Sequence, residues 1–64
     1  MYVVSKGGTY GVVARTYCSE DGTEMVVIKW GRFGWLSPVR WKDCAVVTSR
    51  VEAERKMAEW EQTG

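Results

Sequence analysis

Between residues 1 and 48, no β-branched or aromatic run goes more than nine residues without meeting a turn signal. That punctuation limits this part of the chain to short strands. Tyr2-Val3-Val4-Ser5 is closed by Lys6-Gly7-Gly8, and Tyr10–Cys18 by Ser19-Glu20-Asp21-Gly22-Thr23. An Asp-Gly pair between two such runs is one of the strongest short-range hairpin signals. Glu24–Trp30 is the return strand, Gly31-Arg32-Phe33-Gly34 a second tight connection, and Trp35-Leu36-Ser37 the strand after it. Pro38 has no N–H for a central ladder, so this strand is expected to stop there or lie at an edge. Arg40–Cys44 reads as one helical turn and Ala45–Thr48 as a last strand. Five strands at this spacing predict a small barrel or sandwich, and closure into a barrel is expected because it removes exposed edges.

Ser49 opens a different regime. From Ser49 to the terminal Gly64 the chain holds no other glycine and is dense in Glu, Arg, Lys and Ala. Ser49-Arg50-Val51-Glu52 fits a capping box, and a helix is predicted to about Trp60–Gln62. Glu52 and Lys56 form an i,i+4 pair in the favourable order. Ala53, Met57 and Trp60 make one narrow apolar stripe. A helix of about twelve residues is marginal alone in water, so the stripe is expected to dock on the open end of the barrel. Val51 and Ala58 on the opposite face offer a second apolar patch for a partner chain, such as a homodimer through this helix, and the sequence is equally consistent with a monomer. The expectation is thus a single domain: a five-stranded barrel over residues 1–48 and a packed helix over 49–62.

The chemistry is narrow. There is no His, the usual general base and commonest metal ligand. Cys18 and Cys44 are too few for a zinc site on their own. A disulfide between them is geometrically open, but an intracellular chain would keep both reduced, and each reads as a small apolar residue near a strand end. Glu20, Asp21 and Glu24 cluster at a turn and read as a solvated hairpin end rather than a catalytic carboxylate pair. No Gly-rich loop leads into a helix with Lys-Ser/Thr, so no phosphate cradle is indicated. No apolar run is long enough to span a bilayer. The first residues lack the pattern of a signal peptide, which makes the cytoplasm the default compartment. No catalytic residue, cofactor or metal is expected.

Gly8-x-x-Gly11-x-Val13, Val26-x-Ile28-Lys29-Trp30-Gly31, Trp35-Leu36-Ser37-Pro38 and Trp41-x-Asp43-Cys44-Ala45-Val46-Val47 resemble the SH3-like small barrels, in particular Tudor-type and KOW-type modules. The resemblance covers most of residues 6–48. It implies a five-stranded SH3-like barrel that binds RNA, DNA, peptides or partner proteins, without choosing among them. Gly11-Val12-Val13, with Tyr17-Cys18 and Gly22, is also similar to the central strand of the plasmid-encoded type II dihydrofolate reductases. The Val-Gln-Ile-Tyr stretch that carries that activity does not occur here. Its nearest counterpart, Ala45–Thr48, lacks the amide and the phenol.

What remains is a set of aromatics interleaved with cations. Lys29, Trp30, Arg32, Phe33, Trp35, Arg40, Trp41 and Lys42 fall within fourteen residues that hold no acid. Residues 1–49 carry Lys6, Arg15, Lys29, Arg32, Arg40 and Lys42 against Glu20, Asp21, Glu24 and Asp43, a net of +2. Residues 50–64 carry three cations and four acids, a net of −1. The overall charge of +1 therefore hides a basic strand region and an acidic-leaning helix. A core this small also needs large side chains. Strand alternation puts Val26, Ile28 and Trp30 on one face and Val27 with Lys29 on the other. Trp30 and Trp41 are thus expected in the core, Phe33 at an exposed tip, and Trp35 on either side.

The candidate binding residues are Lys29, Arg32, Phe33, Trp35, Arg40 and Lys42. The favoured reading is a protein-interaction module, whose size fits an accessory protein of the phage type, with Arg beside an aromatic anchor as the contact. The alternative is a single-stranded nucleic-acid binder, with the cations on phosphates and Phe33 or Trp35 on bases.

Overall fold

Antiparallel pairing of five strands accounts for most of the chain. The computed structural model describes residues 1–63, in the order β1 (Tyr2–Ser5), β2 (Tyr10–Cys18), β3 (Glu24–Trp30), β4 (Trp35–Arg40), a 3₁₀ turn (Trp41–Asp43), β5 (Cys44–Val47) and α1 (Arg50–Thr63). The strands form one sheet in the order β4-β3-β2-β1-β5, and every ladder in it is antiparallel. The fold is mainly β with a C-terminal helix.

The expected closure into a barrel is not made by the ladder: the sheet is open, with β4 and β5 as its edges. The edges are blunted rather than joined. β5 is only four residues long, and β4 carries Pro38. Short strands and edge prolines are two established ways of discouraging further pairing. The strand containing Pro38 does not stop there but continues to Arg40, with Pro38 opposite Val27. The Cα envelope of 32 × 29 × 16 Å is correspondingly flattened.

Alternation along β1 divides the core into two clusters. Val3 packs with Val26 and Ile28, joined by Val13, Trp30, Val39, Trp41 and Cys44. Val4, on the other face, packs with Val47 and Ala53, joined by Tyr10, Ala45, Met57 and Trp60. Val3, Val4, Val26 and Ile28 are fully buried, each contributing about 1.5–3 kcal/mol. Trp30 and Trp41 pack against the first cluster but are only half-buried, so aliphatic side chains form its centre. Val27, expected on the outward face, is also buried. It lies between Arg15 and Pro38, just past a register shift between Val13 and Arg15.

Two glycines are required by contact. A Cβ on Gly11 would stand 2.2 Å from the Lys29 carbonyl oxygen, so β2 approaches β3 there too closely for any side chain. Gly31 has φ +80°, and its missing Cβ leaves the space that the Trp35 ring occupies, at 2.8 Å.

The helix docks as its stripe predicts, with Ala53, Met57 and Trp60 on the second cluster. Its start differs from the expected box in one arm. The Glu52 N–H donates to Ser49 Oγ at 3.3 Å, but the Glu52 carboxylate accepts from the Thr48 N–H at 3.1 Å and from the Thr48 hydroxyl. The expected Glu52–Lys56 pair is replaced: Lys56 lies 3.5 Å from Glu59 and over the Trp60 ring, while Arg50 pairs with Glu54.

Candidate aromatic hairpin site

The first cluster is centred on Val3, Val26 and Ile28, and the β3–β4 hairpin shows where the aromatics beside it go. Trp30 and Trp35 face each other as a cross-strand pair, with ring centroids 5.0 Å apart and planes tilted by 60°. The Trp30 indole N–H donates to Ser37 Oγ at 2.7 Å, which fixes the inner ring. Trp35 lies over Gly31 and is 52% exposed. Phe33, in the turn, sits 5.6 Å from Trp35 at 55° and is 75% exposed. The result is a continuous tilted stack that begins half-buried and ends in solvent. Tilted rings at these spacings are the favoured aromatic geometry.

The six candidate residues separate into two places. Lys29, Arg32, Phe33 and Trp35 belong to the hairpin tip, where Lys29 pairs across to Leu36. Arg40 ends β4, about 17 Å along the strand from Trp35, and Lys42 follows it in the 3₁₀ turn. Arg40 is also engaged: its Nε and Nη2 reach Asp43 Oδ2, both at 3.0 Å, and Lys6 approaches the same carboxylate at 3.9 Å. Among the described residues, no carboxylate pairs with Lys29 or Arg32.

Leu36 completes the tip and was not among the candidates drawn from the sequence. It is 62% exposed on β4, and only the strand register reveals it as a neighbour of Lys29. Beside the tip, a groove of about 530 Å³ runs between the β1–β2 turn and α1, lined by Gly8, Tyr10, Trp30, Gly31, Arg50 and Met57. Tyr10 also stacks on Tyr2, with centroids 5.7 Å apart and planes 11° from parallel.

The remaining polar groups are structural. The Asp21 carboxylate accepts from the Ser19 hydroxyl and from the Thr23 N–H at 3.0 Å, which caps the β2–β3 turn. These bonds, the Ser19 and Thr23 side chains first, lower its pKa to about 2. The Thr48 hydroxyl, followed by the Thr48 N–H, lowers that of Glu52. Cys18 and Cys44 are free thiols. Cys44 is half-buried, donates to the Arg40 carbonyl at 3.4 Å, and is raised in pKa by burial and then by the Asp43 charge. Cys18 is exposed, contrary to its expected role as a small apolar packing residue.

No protein-family model, characterised protein or solved structure matches this chain. Among the described residues, no helix is long and apolar enough to cross a membrane.

Proposed function

We propose that this chain is a small non-enzymatic binding module, of the SH3-like type that its strand and turn pattern resembles, and that it engages a protein partner through the β3–β4 hairpin tip. One observation carries the reading: Phe33 and Trp35, in ring contact, are 75% and 52% exposed, and Leu36, on the other face of the same strand edge, is 62% exposed, although the same chain fully buries Val3, Val4, Val26 and Ile28. Contiguous exposed apolar surface rimmed by cations is the usual mark of an interaction site. Aromatic residues with a neighbouring Arg carry most of the binding energy at such sites.

The separation of the cations favours a protein over single-stranded nucleic acid. Phosphate tracking needs basic groups along one groove, whereas Arg40 and Lys42 lie at the other end of β4 and Arg40 is held by Asp43. The test is photo-crosslinking with benzoylphenylalanine at position 33, and at position 17 as control, in extract of the source cells. A discrete protein adduct from position 33 alone, lost on Trp35→Ala, is expected. Adducts only to nucleic acid, or equal adducts from both positions, would contradict the proposal.

A further inference from the structure

The hairpin tip is an edge of the sheet as well as an aromatic stack. The Ser19 N–H donates to the Thr23 carbonyl at 2.9 Å, which sets the phase of the β2–β3 ladder. Hydrogen-bonding direction alternates along an antiparallel strand. Met25, Val27 and Lys29 therefore bond toward β2, and Val26, Ile28 and Trp30 toward β4. On β4, Val39, Ser37 and Trp35 return those bonds, while Leu36, Pro38 and Arg40 turn their backbone groups to the open edge. Pro38 has no N–H to offer there, and the Arg40 carbonyl accepts from Cys44 Sγ. Leu36 alone, next to the aromatic stack, presents both an N–H and a C=O outward without such an obstruction.

The two faces of that edge differ. Trp35, with Trp30 and Phe33 behind it, lies on one face. Leu36 lies on the other, opposite Lys29. Among the described residues, Lys6, Arg40, Arg50 and Lys56 each pair with a carboxylate, whereas Lys29 and Arg32 at the tip do not, as is also true of Arg15, Lys42 and Arg55 elsewhere. From Met25 to Lys42 the chain carries no acid. The tip is thus a cationic, apolar strand edge with a single open backbone rung.

Resting on the reading of this hairpin as a partner-binding surface, we infer that its ligand is an acidic, apolar, extended protein segment that adds to β4 as a short strand at Leu36. The backbone rung fixes the segment. Alternate side chains meet Trp35 on one face and the Lys29–Leu36 side on the other, and carboxylates neutralise Lys29 and Arg32. Main-chain bonds give affinity and alternate pockets give selectivity in this mode of recognition, and Pro38 limits it to a few residues.

The test is selection of a random peptide library on the immobilised chain, with Phe33→Ala selected in parallel. The enriched peptides should carry an excess of Asp and Glu around an apolar side chain, bind more weakly as salt rises, and disappear with Phe33→Ala. A synthetic copy of the most enriched peptide should slow amide hydrogen exchange at Leu36. It should bind Leu36→Pro about 3–10-fold more weakly than Leu36→Val, the effect of one lost hydrogen bond. Peptides that need Phe33 but are neutral or basic overturn the acidic assignment while leaving the hairpin reading intact. Peptides indifferent to Phe33, or no enrichment at all, overturn both. Unchanged exchange at Leu36 overturns the strand-addition mode, and tighter Phe33-dependent binding of an oligo-dT strand overturns the protein ligand.

Discussion

Single atoms decide several of the contacts on which this fold rests. Gly11→Ala places a methyl 2.2 Å from the Lys29 carbonyl oxygen, where backbone must move. A loss of about 3 kcal/mol or more is expected, well above an ordinary substitution, and urea denaturation measures it. Gly31→Ala combines a positive φ with collision against the Trp35 ring. It should destabilise by about 1–3 kcal/mol and also shift Trp fluorescence, because the exposed ring must tilt away. Two carboxylates set the acid limit. Asp21 has its folded pKa lowered from 3.8 to about 2, and that of Glu52 is lowered from 4.5. A depressed carboxylate adds stability above its unfolded pKa and loses it as pH falls through the folded value. The melting temperature should therefore hold from neutral pH to about 5 and decline between about 4.5 and 2. Asp21→Asn with Glu52→Gln should flatten that decline; an unchanged slope would show that other groups govern it. The thiols should also differ: Cys18 should react at once with a thiol reagent, and the half-buried Cys44 only as the chain opens.

Elements were legible in the sequence where short-range signals fixed them. The Asp21-Gly22 turn, the 3₁₀ turn near Trp41 and the Ala53–Met57–Trp60 stripe depend on neighbours within about one or two turns of chain, and all three occur. Three features resisted because they depend on distant partners. Pro38 left its strand either stopping or lying at an edge; the edge is what occurs, and only the strand's continuation to Arg40 carries Arg40 and Lys42 away from the tip. Leu36 was missed because its pairing with Lys29 exists only in the register. The second arm of the capping box went to Thr48 because its N–H and hydroxyl together offer Glu52 two donors. At this scale Ser49→Ala should destabilise by about 0.5–1 kcal/mol, read from thermal melting.

For the molecule as a whole, an open sheet with a buried aliphatic cluster on each face explains why so short a chain can leave large apolar side chains outside. Val4, Val47 and Ala53 seal the helix face and Val3, Val26 and Ile28 the other, so stability does not require the hairpin aromatics to be buried. Ala53→Asp, which forces a charge into the fully buried apolar helix–sheet contact, should abolish cooperative melting. Closure of the sheet was not readable from residue types, since shortening β5 and placing Pro38 on β4 protect the edges as effectively as a closing ladder would. The central claim is that the hairpin tip serves binding rather than folding, and Phe33→Ala tests it most directly when thermal melting and photo-crosslinking from position 35 are measured on the same preparation. The account predicts a melting temperature within about 2 °C of the parent together with loss of the protein adduct. A large drop in melting temperature, or an adduct that persists at full yield, would contradict it.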